Sequence, residues 1–224
     1  MRYICLFFFA FLAFSGCDDE LLEVTPRNSV STESFFRTES DLELYANGLV
    51  SVPEGGAIFL SDQSSDNAAT TGAVEIKTIM NASPTSQTIV GGWDWERLRS
   101  VNFFLENIDR AEVSDAVKDH YRGLARMYRA EFYYDKVKRF SDVPWFGRVL
   151  NPDDEDLYKP QDDRAMVVDN VLEDLTFAAE HVREDVPVGT PDKWVATMLL
   201  ARVALHEGTF RKYHDELNLE ASAD

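Results

Sequence analysis

Residues 122–146 read RGLARMYRAEFYYDKVKRFSDVPWF. Leu124, Tyr128 and Phe132 recur at four-residue steps, and Val117 and Tyr121 extend the same stripe upstream. Apolar residues three and four apart share one face of an α-helix. The pattern predicts a long helix running to about Phe140, with Pro144 closing it. The Tyr and Phe stripe of residues 121–134 reads as core. Arg126 and Arg129 on the same helix read as partners of acids such as Glu131, or as braces for loop carbonyls.

Similar stripes flank this helix. Trp95, Leu98, Val101, Leu105 and Ile108 predict one before it. Val168, Val171, Leu172, Leu175, Ala178, Ala179 and Val182 predict one after it. Thr190-Pro191 then reads as N-cap and first helical residue of another, with Trp194, Thr197, Met198, Ala201 and Leu205 as its face. Near the start, Thr38-Glu39-Ser40-Asp41 has the form of a capping box ahead of Leu42, Tyr45, Leu49 and Val50. The expected fold is all-α, with paired helices of tetratricopeptide type. A long irregular loop from Pro53 to about Val90 interrupts it, with Ile76, Ile79 and Met80 as its packing residues. The stretch NPDDEDLYKPQDD, residues 151–163, lacks the central glycine and final glutamate of an EF-hand and reads as a solvated connector.

The first twenty residues, MRYICLFFFAFLAFSGCDDE, order a basic start, a short apolar core and small residues before Cys17. That is the layout of a secretory signal. The apolar run is shorter than the about 17–25 residues a membrane span needs. Cys17 directly after the small residues matches a bacterial lipobox, where the thiol takes a diacylglycerol and the new N-terminus another acyl chain such as palmitate. The expected organisation is a lipoprotein signal peptide over 1–16, a lipidated tether over 17–37 and a helical domain over 38–224. The chain has 2 Cys, Cys5 and Cys17, so beyond the tether its stability must come from packing rather than disulfides. Asp18-Asp19-Glu20 is either a solvated tether or a signal for the outer face of an outer membrane.

A formal net charge of −18 argues against nucleic acid as a partner, since phosphates would be repelled. No catalytic residue is assigned. The 4 His show no metal-binding spacing, and neither a Gly-x-Ser-x-Gly elbow nor a phosphate loop is present. Among 40 acids, no carboxylate pair is diagnostic of glycoside hydrolysis without geometry. No metal or cofactor is expected.

Residues 122–146 resemble the central signature of SusD/RagB-type outer-membrane nutrient-uptake lipoproteins. In that family an Ala-Arg-x-x-Arg-Ala helix with spaced aromatics runs into a Gly-Asp-Val-Pro turn. Here Ala125, Arg126, Arg129, Ala130, Tyr133 and Tyr134 precede Asp142, Val143 and Pro144, with Ser141 where glycine is usual. CDDELLEVTPRNSVSTESFF resembles the family's mature N-terminus. WERLRSVNFFLENID resembles a family helix through Trp95, Asn102, Leu105 and Ile108, and WVATMLLARVALHEGTFRKY resembles a further block. The resemblance covers only the N-terminal, tetratricopeptide-bearing part; full members continue into a loop-rich ligand-binding region.

The resemblance implies a non-enzymatic, surface-exposed lipoprotein. Such proteins capture oligo- or polysaccharides, or peptides, as a lid on a SusC-like TonB-dependent transporter. Sugar binding needs aromatic faces and hydroxyl-pairing polar groups, which makes Asp66, Asn67, Trp93 and Arg99 the ligand candidates. Trp93 follows Gly91-Gly92 and is expected to project outward, whereas Trp95 starts a buried stripe. Trp145 and Phe146 either contact the transporter or pack within the domain. A second reading is a lipid-anchored helical adaptor that binds a protein partner and no nutrient.

Overall fold

The computed structural model describes residues 35–51, 55–62, 75–81, 85, 87–88 and 91–214. Cys17, Asp66 and Asn67 lie outside them. The chain divides into two units, Met1–Phe36 and Arg37–Asp224. The described helices lie in the second unit.

Helix α1, Glu39–Gly48, starts where the capping box predicts. Thr38 accepts from the Asp41 amide, and the Asp41 carboxylate accepts from the Thr38 amide at 2.8 Å. Leu42, Ala46 and Leu49 are buried. Two short helices, α2 (Gly55–Asp62) and α3 (Glu75–Asn81), occupy part of the stretch expected to be irregular. Their shortness explains why period alone does not reveal them. Helix α4, Glu96–Asn107, runs into a 3-10 turn at Ile108–Arg110 and buries Leu98, Val101, Phe104 and Ile108.

Helix α5, Asp115–Phe140, is the central element. It packs against α1 and α4 and against α6, Arg164–His181, on which α7, Lys193–Tyr213, is laid. Tyr121, Leu124, Tyr128, Phe132 and Tyr133 are all buried, as the stripe predicts. Where α5 and α6 cross, a Cβ on Gly123 would stand 2.8 Å from Val182 Cγ2, so the backbones approach only because that position lacks a side chain. Helix α5 ends earlier than Pro144. Ser141 takes φ 63 and ψ −87 and donates its amide to Val137 O at 3.0 Å. That conformation lies near a γ-turn, which L-residues rarely adopt. It supplies a physical reason for glycine there.

Charged groups join the layers. Arg126 and Arg129 both reach Asp174 of α6, with Arg126 Nε 2.5 Å and Arg129 Nε 2.6 Å from its carboxylate. Glu131, the acid expected to serve them, instead accepts from Arg97 of α4 at 2.6 Å. It shares a helix with the two arginines, and its carboxylate goes to α4 while they turn to α6. Arg164 forms a buried pair with Glu207 at 2.8 Å, and Arg211 binds the same carboxylate at 2.8 Å.

Two expectations for α7 are corrected. Its N-cap is Asp192, whose side chain accepts from the Val195 amide at 2.9 Å, because Thr190 is used in a preceding turn onto Pro187 O. Its apolar face does not point inward: Trp194, Met198 and Leu205 are 53%, 69% and 70% exposed. The buried positions are Ala196, Val203, Glu207 and Arg211. Small residues and an ion-pair cluster fit the close, charged surface of α6. The larger apolar side chains therefore point away from α6.

Candidate functional site: an aromatic pocket at the start of helix α4

The N-terminal end of α4 and the segment after Pro144 enclose a cavity of about 680 Å³. Its walls include Trp93, Trp95, Arg99, Phe146, Arg148 and Leu157. The structure thus brings together Trp93, Arg99 and Phe146, which sequence reasoning assigns to two different roles. Trp145 does not line it. That ring stacks on Tyr133, with centroids 4.2 Å apart, and the Arg129 guanidinium lies 5.2 Å from it, so Trp145 is held by packing within the chain.

The far wall is fixed from three directions. Asn102, buried on α4, donates its amide to the Phe146 and Arg148 carbonyls at 2.8 and 3.0 Å. Tyr133 on α5 accepts from the Phe146 amide at 2.6 Å and donates to Pro144 O at 3.3 Å. Burial drives the Tyr133 phenol well above its ordinary range, so it stays protonated and can donate. Asp162 accepts from the Trp145 amide at 2.7 Å, next to the antiparallel bridge between Val143 and Asp162. The stretch expected to be a plain connector therefore includes a structural wall, with a 3-10 turn at Glu155–Tyr158.

The pocket cations already have partners. Arg148 forms two bonds of 3.0 Å with Asp154 and one of 2.9 Å with Asp156. Lys159 binds Asp162 and donates to Trp145 O at 2.8 Å. Arg99 donates to Leu150 O. The aromatic wall is a corner rather than a plane. Trp93 meets Trp95 at 80° with centroids 5.2 Å apart, and Trp95 meets Phe146 at 74° and 5.4 Å. Trp93 is 46% exposed, as its place after two glycines predicts, while Trp95 is half-buried and belongs to core and pocket alike.

Such a space offers ring faces, an amide at Gln161, and a carboxylate and guanidinium at Glu96 and Arg99. It suits a ligand with apolar CH faces and hydroxyl edges. Among the described residues, no group of three or more His, Cys, Asp or Glu is placed to hold a metal ion. No helix among them is long and apolar enough to cross a membrane. The roles of Asn102 and Asp162 escape sequence reasoning, because each acts on backbone groups far along the chain. The signal for Asn102 was its polarity inside an otherwise apolar helical stripe.

The architecture is a stack of helical hairpins with an aromatic pocket where a loop returns onto a helix start. A SusD-like family profile, described as starch-binding and associating with the outer membrane, matches residues 20–205, and the chain belongs to that family. A curated SusD-like protein of Formosa agariphila is 25% identical over 89% of this chain, a match that covers 42% of the relative. A SusD-like carbohydrate-binding protein of Bacteroides fragilis aligns with TM-score 0.67 and 20% identity, over 79% of this chain and 39% of its own. A laminarin-binding SusD-like protein aligns with TM-score 0.61 and 16% identity, over 78% and 41%. The chain thus spans less than half the length of each of these proteins.

Proposed function

We propose that this chain forms the helical-repeat part of a cell-surface saccharide-binding lipoprotein that works with a SusC-like TonB-dependent transporter. The observation that carries the reading is the convergence of Trp93, Trp95, Phe146, Arg99 and Glu96 on one cavity. Family membership supports an oligo- or polysaccharide as its ligand. The ring corner receives the CH faces of a sugar, and Arg99, Glu96 and Gln161 exchange hydrogen bonds with its hydroxyls. Asp66 and Asn67, which precede α3 in the sequence, are further ligand candidates, and Trp145 and Phe146 remain candidates for contact with the transporter.

Residues 1–16 act as the signal, and Cys17 carries the acyl chains that hold the protein at the outer membrane through the tether. Several chains hold firmly, at about 0.8 kcal/mol per buried CH₂. Cys17→Ser is expected to move the protein from the outer-membrane fraction to the soluble one.

Titration of the full chain with laminarin and with soluble starch, followed by tryptophan fluorescence, tests the saccharide reading. A saturable change that Trp93→Ala weakens about tenfold supports it. No saturation with either polysaccharide removes it. The adaptor reading, a lipid-anchored helical module that binds a protein partner, then stands.

A further inference from the structure

Trp93 is the most exposed ring of the pocket, yet the backbone that carries it is held closely. The last turns of α5 present Lys136, Arg139 and Phe140 toward the Gly91-Gly92 turn. Lys136, only 7% exposed, donates its ammonium to Gly92 O. Arg139 Nε donates to Gly91 O at 2.9 Å, and its Nη2 binds both carboxylate oxygens of Glu75 on α3 at 2.7 and 2.9 Å. Phe140 sets its ring edge-on to Trp93, with centroids 4.9 Å apart and planes at 88°. The Lys136 ammonium also lies 5.4 Å from the Trp95 ring and 4.7 Å from Phe132. Those contacts fix it beneath the aromatic corner.

Gly92 is required by this arrangement. Gly92 takes φ +86, and a Cβ there would stand 2.8 Å from Arg139 Nε. Two consecutive carbonyls are therefore turned toward two cations on one helix end, and the next residue is the exposed tryptophan.

We propose that Lys136 and Arg139 are positioning residues for Trp93: by holding the Gly91 and Gly92 carbonyls they set the ring at the pocket mouth before ligand arrives. The inference rests on the saccharide reading of the pocket. A ring fixed in its bound orientation loses less entropy on binding than one on a free Gly-Gly hinge. Glu75 extends the same clamp to α3, so the long segment ahead of α4 is tied to the ring's support.

The test uses the full chain and the variants Lys136→Met, Arg139→Gln, Lys136→Arg and Gly92→Ala. Three readouts are taken: melting temperature, laminarin affinity, and the part of the near-ultraviolet circular dichroism that disappears in Trp93→Phe. Lys136→Met and Arg139→Gln should each reduce that Trp93 signal and weaken laminarin binding about fivefold while the fold is retained. Lys136→Arg should restore both, and Gly92→Ala should behave like the clamp variants. An unchanged Trp93 signal in folded Lys136→Met and Arg139→Gln overturns the proposal. So does undiminished affinity in those variants when Trp93→Ala has lost it. Should the parent chain bind neither laminarin nor starch, the saccharide reading fails, and the Trp93 signal alone still decides whether the clamp exists.

Discussion

Arg129 and Asp174 meet in a parallel two-point pair, Nε to Oδ2 at 2.6 Å and Nη2 to Oδ1 at 2.8 Å, and thereby lock α5 onto α6. The carboxylate is 1% exposed and also serves Arg126. Removing one partner of such a buried pair costs more than the pair itself contributes, because charge is left without compensation. Asp174→Ala is expected to destabilise the chain by about 3–5 kcal/mol, read from the midpoint of urea unfolding.

Ser141 predicts the opposite sign. Its backbone, at φ 63 and ψ −87, carries a side chain where glycine has no steric cost. Strain of this kind amounts to about 1–3 kcal/mol, of which glycine returns a part as extra freedom in the unfolded chain. Ser141→Gly should raise stability by about 1 kcal/mol, which for a chain of this size is a rise in melting temperature of about 2–4 °C.

Gly123 makes a third case. Alanine gains about 1 kcal/mol in helix propensity. Its Cβ, however, would press on the stiff Val182 side chain at 2.8 Å. Overpacking costs about 1–3 kcal/mol, so Gly123→Ala should be destabilising on balance. Adding Val182→Ala should give a coupling of favourable sign in a double-mutant cycle, and strict additivity would refute the contact.

His120 gives the chain an acid-sensitive joint. Its Nδ1 accepts from the Arg183 amide at 3.1 Å. Burial, aided by the Arg183 charge and opposed by Glu39, lowers its pKa from 6.5 to about 4. The unfolded chain therefore binds this proton more readily than the folded one. The stability it contributes is complete above pH 6.5 and falls as the pH drops toward 4. The loss is at most about 3 kcal/mol. Urea unfolding between pH 7.5 and 4 should show this slope in the parent chain and a shallower one in His120→Gln.

The helices were legible because their signals are local. The capping box at Thr38 and the stripe from Val117 to Phe132 each lie within a few turns of chain. The orientation of α7 was not, because Trp194, Met198 and Leu205 make as good a stripe as the face that is buried. Only the ion-pair cluster around Glu207 decides between them, and it depends on Arg164 from another helix. Trp93 and Arg99 could be named from residue type and neighbourhood. That Phe146 joins them depends on Asn102 and Tyr133 gripping a loop that follows them by 44 and 13 residues. Single residues carry no record of such long-range grips.

The pocket's internal pairing has one more consequence. Arg148 and Lys159 are neutralised by carboxylates of their own loop, and Arg99 stands one helical turn from Glu96. An occupant then meets little net field, so few ions are displaced when it enters. Retention in this space should hold nearly constant from dilute buffer to brine, a property of discrimination by contour rather than by charge.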